Sequence, residues 1–323
     1  MLQHAEPESA AHGAAQAGAA DAGHGAAEGF DAGATILSHV ANSPADHPLI
    51  HIDPIFGIDM SISKHVLMLW VSAAFLLIVV TAAVRRYARR GDMVPRGPVM
   101  GLIEYVAVRI RDEIVAPNVG SKWVNTYTPL IMMFFLFIVT VNAIGMVPIF
   151  DALALLNHTV LHLPEDSFLV QLTHGGTTPT GNFNVTAALA TISFFAIMIA
   201  GIRAHGFVGH WKNLVPHGTH PVLWLLLIPI EVLGMFVRPF ALTMRLAANM
   251  TGGHIAVLAV LSMIFIMAET ARSAVVGVGM AVVAVPLAVG ISVLEAVVVV
   301  PVQAFVFTLL TAVFIGMAIH AHH

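Results

Sequence analysis

Residues 238–260 read RPFALTMRLAANMTGGHIAVLAV, part of a long apolar run in which a permanent cation, Arg245, stands near the middle. Hydrocarbon normally excludes such a group: an arginine at the centre of a bilayer costs ~2.5 kcal/mol on insertion scales and several times more in simulations. A guanidinium there is either locked in a structural salt bridge between helices or used. No carboxylate lies within a helical turn of Arg245. Its partner is therefore expected on another segment or on another protein that brings an acid to it inside the membrane.

The rest of the chain agrees with a membrane setting. Of 323 residues, 58% are hydrophobic and 10% charged, with a mean hydropathy of +0.87; soluble domains carry about 25% charge. Cysteine is absent, which removes disulfides and thiolate metal sites. The net charge of -4 says little about partners, because the positive charges are strongly localised. No P-loop is present, so nucleotide chemistry would reside elsewhere, and no cofactor and no nucleic-acid partner is expected.

Residues 1–34 contain 13 alanines and 6 glycines, too little apolar bulk for a core, and are expected to form a disordered leader. They hold no Lys or Arg and no long apolar stretch, unlike a secretory signal. Residues 35–64, with Pro44, Pro48 and Pro54, suggest an irregular or interfacial lead-in on the outer side. The membrane domain is expected over 65–323. Its spans are read at about 65–84, 129–150, 185–202, 222–269 and 274–319.

Topology follows from the cations. Residues 85–122 hold 8 of the 14 Lys and Arg, and residues 123–202 hold none, so the first loop is expected in the cytoplasm, with the N-terminus outside and the C-terminus inside. Within that loop Leu102, Val106, Ile110 and Ile114 recur every four residues beside Arg109, Arg111, Asp112 and Glu113. That pattern suits an amphipathic helix on the inner surface, or one packed against its neighbours. Arg203, Lys212, His205, His210, His217 and His220 mark the next inner turn. The irregular spacing of the leader histidines, and of His217 with His220, points to solvated side chains rather than a metal site.

The last two apolar segments, joined around Ala271, Arg272 and Ser273, read as a helical hairpin. A helix over 222–269 would be roughly 72 Å long, against a hydrocarbon core of ~30 Å. It must break, with Pro229, Pro239 and Gly252–Gly253 as candidate places, or lie steeply tilted along a large neighbour. Residues level with each other in an antiparallel hairpin are equidistant from its turn. Arg245 with Gln303, and His254 with Glu295, both put that turn near residue 274, where composition also places it. On the first arm Glu231, Arg238 and Arg245 recur every seven residues, with Asn249 one turn further on the same stripe, while His254 falls half a turn away from Arg245. For Glu231 and Arg238 two readings stand, a share in ion movement or an interfacial charge network; Gln303 and Asn249 also suit plain interhelical hydrogen bonding.

The runs RPFALTMRLAANMTGGH (238–254), VQAFVFTLLTAVF (302–314), TPLIMMFFLFIVTVNAIGMVP (128–148) and NFNVTAALA (182–190) together resemble subunit a of the F-type ATP synthases, over roughly residues 60–320. That resemblance implies an all-α polytopic membrane protein that is not itself an enzyme. It would be the fixed subunit of the Fo motor in a bacterial plasma membrane, packed against a rotating ring of c subunits, tied to b-type stalk subunits and to the remainder of the complex, and bathed in lipid. Arg245 matches the family's essential arginine, which would hold each ring carboxylate ionised as it passes and separate two offset proton half-channels. Gln303 matches the glutamine beside it, expected to hydrogen-bond and orient the guanidinium, Asn249 the asparagine lining the cytoplasmic half-channel, and His254 with Glu295 the pair of the outer half-channel. Here the acid and the imidazole stand in the swapped, mitochondrial-like order. His254 favours protons over sodium as the coupling ion. Asn142 and Asn182 stand near positions where relatives carry an acid.

A secondary ion transporter with a midplane Arg/His/Glu site is the alternative, but no second copy of the Arg245 region is present, as an inverted repeat would require. An intramembrane hydrolase would need a GxSxG or HExxH run, and neither occurs.

Overall fold

The computed structural model describes residues 62–90, 97–146, 178–212 and 221–320, with 31–33, 36 and 157 as isolated positions. The expected leader, nearly all of the lead-in, most of the loop 151–184, and His217 with His220 lie outside the described residues. Among these residues the chain forms helices and no β-strand, and five of the helices are long and apolar enough to cross a membrane. It is an all-α polytopic membrane protein.

Helix α1 (Lys64–Arg90) is followed by α2 (Pro98–Arg109), a π-helical stretch Ile110–Val115, and the short α3 (Ala116–Val119). Then come α4 (Val124–Met146), the 3-10 turn Pro179–Gly181, α5 (Phe183–His205) and α6 (Phe207–Lys212). The hairpin is α7 (Pro221–Thr270), α8 (Ala274–Leu294), a π-helical stretch Glu295–Val299, and α9 (Val300–Ile319). Its turn is tight enough to put Arg272 at a φ of 46°.

Helix α4 lies at the centre because its small and apolar residues recur at alternating steps of three and four: Tyr127, Ile131, Phe134, Ile138, Val141 and Gly145 are all buried. They meet a similar stripe on α9, where Ala304, Phe307, Thr311, Ile315 and Gly316 are buried. Leu242 and Leu246 of α7 join Phe134, Ile138, Leu189, Ala304 and Phe307 in one cluster. Hydroxyls inside this apolar packing are satisfied locally, as Thr308 donates to the Ala304 carbonyl at 2.8 Å and Thr311 to the Phe307 carbonyl at 2.8 Å. Gly316 lets α9 pass against α3, since a Cβ there would fall 2.2 Å from the Asn118 carbonyl oxygen.

Helix α7 does not break. It runs for 50 residues with Pro229 and Pro239 inside it, about 75 Å at 1.5 Å per residue. Both π-helical stretches have a common cause in the sequence: Pro117 and Pro301 follow each of them by two residues. A proline lacks the N–H for the carbonyl four residues back and collides with it, and a locally widened helix relieves both problems. A four-residue step overshoots one helical turn by about 40°, so the buried face drifts along the loop helix. Ile110 and Ile114 are buried with Val119 and Tyr127, whereas Leu102, on the same four-residue repeat, is 63% exposed. That segment therefore packs against the bundle at its C-terminal half.

Histidines tie helix ends together where the cations gather. His205 Nε2 is 2.8 Å from the Ile319 carbonyl, and His320 Nε2 is 3.2 Å from the Val119 carbonyl. His210 is buried against α5 in a seat that exists because residue 201 is glycine; a Cβ there would meet the ring at 2.3 Å. Burial, reinforced by nearby His205, holds the His210 pKa below its ordinary value. The native state thus keeps this ring neutral, and the opened state binds the proton more readily. The packing is intact above the ordinary histidine pKa of ~6.5 and weakens as pH falls below it. Hydrogen exchange over 207–212, corrected for intrinsic rate, is expected to quicken several-fold between pH 7.5 and 5.5, and His210→Asn to remove most of that pH dependence.

Candidate functional site

Helix α7 carries two kinds of polar group on opposite sides. Leu242, Thr243, Leu246 and Met250 bury one face against the bundle, which leaves Arg245 and Asn249 exposed on the other. Among the described residues Arg245 has no hydrogen-bond or ion-pair partner, and no hydrogen bond joins it to Gln303. Gln303 is half-buried beside Ala304, which shares a hydrophobic cluster with Leu242 and Leu246. Two turns toward the start of α7, Arg238 pairs with Glu231 at 3.2 Å and its guanidinium carbon lies 5.6 Å from the centre of the Phe314 ring. Of the three charges on the stripe, two neutralise each other and Arg245 is left over.

His254 lies nine residues beyond Arg245, about 13 Å along the axis and half a turn round. It faces the bundle and meets Glu295 across the hairpin, Nδ1 to Oε1 3.5 Å, with Glu295 almost fully buried. That is an ion-pair distance rather than a hydrogen bond, and Oε1 has no hydrogen-bond partner. The carboxyl fits because residue 253 is glycine: a Cβ there would sit 2.3 to 2.7 Å from the Glu295 carboxyl atoms. Glu295 also opens the π-helical stretch. Reasoning from hairpin register finds this pair; nothing in the sequence announces the glycine seat or the widened helix.

Sequence reasoning missed a third partner. The Thr178 hydroxyl lies 2.9 Å from His254 Nε2. Two residues on, the Thr180 hydroxyl donates to Asn142 Oδ1, both side chains being fully buried, while Asn142 Nδ2 is left without a partner. Asn182 has a local task, capping α5 by accepting from the Asn184 N–H at 2.9 Å. The 3-10 turn and the residue before it thus bring polar groups between α4 and α7, so Thr178, His254 and Glu295 stand next to one another, with Asn142 and Thr180 nearby. Among the described residues no three metal-binding side chains converge.

A cation on an exposed apolar helix face is offset along that helix from a buried imidazole–carboxylate pair, and comparison with known proteins decides the family. The model of the ATP synthase A chain family matches residues 66–316. The chain belongs to the ATP synthase subunit a family. It is 36% identical to ATP synthase subunit a 2 of Chlorobium luteolum over 304 residues, 92% of this chain and 78% of that one. It is 37% identical to ATP synthase subunit a of Myxococcus xanthus over 266 residues, 82% and 75% of the two chains. Membership in subunit a makes the chain a multi-pass membrane component of an F-type ATP synthase, and it accounts for a bundle rich in apolar helices with few charges inside it.

Proposed function

We propose that the chain is the fixed subunit of the Fo motor, which couples proton flow across the membrane to rotation of a c-subunit ring. The observation that carries this reading is the state of Arg245: exposed on the outward face of α7 and without a partner among the described residues, while Glu231, Arg238 and Glu295 each face an oppositely charged or titratable group. A permanent cation left over at membrane depth calls for an acid from outside the chain. Ring carboxylates moving past α7 would meet it in turn. The length of α7 favours a helix lying obliquely along such a ring, and the broad apolar surface of the hairpin, with Leu225, Val275 and Val282 at least 70% exposed, suits contact with ring and lipid.

Two offset half-channels follow from the polar groups. His254, Glu295 and their neighbours Asn142 and Thr180 line the outer one, and Asn249, Glu231 and Arg238 the inner one, with Gln303 beside Arg245 between them. The chain makes and breaks no covalent bond of ATP; that chemistry belongs to other subunits. By the placement of its cations the basic end faces the cytoplasm of a bacterial cell, which puts the C-terminus inside, and b-type subunits hold the stator still.

Glu295→Gln tests the outer half-channel. The amide keeps the size of the side chain and removes its capacity to take up a proton, so ATP-driven pumping in inverted vesicles and ATP synthesis are expected to fall roughly 100-fold. Rates equal to wild type would remove Glu295 from the pathway.

A further inference from the structure

We infer that Thr178 is a positioning residue for the proton pathway, fixing the ring of His254 and the tautomer it presents to Glu295. The inference rests on the half-channel reading above and extends it to a residue 76 positions away from the histidine in sequence.

The geometry carries the argument. Thr178 is nearly fully buried, and its hydroxyl lies 2.9 Å from Nε2, while Nδ1 of the same ring lies 3.5 Å from Glu295 Oε1. The two ring nitrogens thus face unlike neighbours. Where Oε1 faces Nδ1 as an acceptor, an N–H on Nδ1 suits it, and the neutral ring carries its proton there. Nε2 is then an acceptor, and the threonine hydroxyl donates to it. When the ring takes up a second proton, on Nε2, the hydroxyl turns and accepts from it. A hydroxyl can do both, and an apolar group of the same shape can do neither. The ring therefore keeps one orientation toward Glu295 in both charge states.

The surrounding structure spends several contacts on holding Thr178 in place. Residue 145 is glycine, and a Cβ there would fall 2.5 Å from Thr178 Oγ1 and 2.7 Å from its Cα, so α4 leaves room for this one residue. The turn that follows is tied to α7 by the Thr251 hydroxyl on the Gly181 carbonyl at 3.2 Å and to α4 by the Thr180–Asn142 bond. Thr178, Pro179 and Thr180 are all buried although they lie outside the long helices. Backbone buried in this way is stable where its polar groups find partners, and here those partners aim one hydroxyl at one imidazole.

The test uses the intact ATP synthase in membrane vesicles. Thr178→Val, which keeps shape and removes the hydroxyl, is expected to slow ATP synthesis driven by an imposed proton gradient about tenfold and to alter the dependence of rate on outer pH. Thr178→Ser is expected to restore both, which a purely structural loss would not do, because serine removes the methyl group and returns only the hydroxyl. Glu295→Gln is measured in parallel. If Glu295→Gln slows synthesis while Thr178→Val leaves rate and pH profile at wild-type values, this inference falls and the half-channel reading stands. If neither variant slows synthesis, the half-channel reading falls with it. A Thr178→Ser enzyme as slow as Thr178→Val would likewise overturn the role given to the hydroxyl.

Discussion

Arg245→Ala is expected to abolish ATP-driven proton pumping and ATP synthesis, by at least a hundredfold, in a complex that still assembles. Assembly survives because Arg245 is exposed and has no partner among the described residues, so its removal leaves none of their buried acids alone. Core residues on the opposite face, Leu242, Leu246 and Met250, keep α7 in the bundle. The loss comes from what the cation would do to a passing carboxylate. At 4 Å and an effective dielectric of about 20, a charge pair is worth about 4 kcal/mol, roughly a thousandfold in the balance between the ionised and protonated forms of the acid. Without that bias a ring carboxylate has no reason to give up its proton at one place in the cycle, and no fixed positive charge blocks a proton from crossing directly between the half-channels. Pumping by inverted vesicles, with the amount of assembled complex measured alongside, is the check; coupled synthesis at the wild-type rate would refute the role of Arg245.

Gly253→Ala comes second. A methyl group at this position would fall 2.3 to 2.7 Å from the Glu295 carboxyl atoms, closer than such contacts are ever tolerated. The obstructing atoms are the end of a flexible side chain, so the carboxyl moves and the backbone stays. Because alanine is favoured over glycine within a helix by ~1 kcal/mol, α7 itself is not weakened. The expected result is a drop in proton uptake of about tenfold or more at an unchanged level of assembled complex, since the acid leaves its place 3.5 Å from His254. A substitution that replaces neither titratable group would then act as a partial copy of Glu295→Gln. Wild-type uptake by this variant would show that the placement of the carboxyl is not what transport depends on.

These two variants divide along the line between what a chain states openly and what folding adds. Arg245 is legible because a cation in an apolar run is costly wherever the run goes. The hairpin is legible because two long apolar segments flank one short polar turn, and its register brings His254 to Glu295 by counting alone. The course of α7 is not legible in the same way: Pro229, Pro239 and two adjacent glycines offer places to break, yet the helix continues through all of them. Membrane helices accommodate proline when neighbouring groups take over the freed backbone contacts, and that depends on neighbours. The amphipathic repeat of the loop helix is readable too, but not which part of it packs: Leu102 is exposed and Ile110 buried.

What the sequence by itself determined is the membrane class, the helical segments, the likeness to subunit a, and the exceptional position of Arg245, since each follows from transfer free energy and periodicity, which are local sums over neighbouring residues. Only the tertiary structure decided that Gly145 and Gly253 are empty seats for Thr178 and Glu295, that Thr180 meets Asn142, and that Arg238 is already occupied by Glu231 while Arg245 is not. The physical reason is one of range. Burial preference is written in each side chain, whereas a hydrogen bond is made or missed within a few tenths of an ångström by residues such as Thr178 and His254 that only the packing of separate helices brings together.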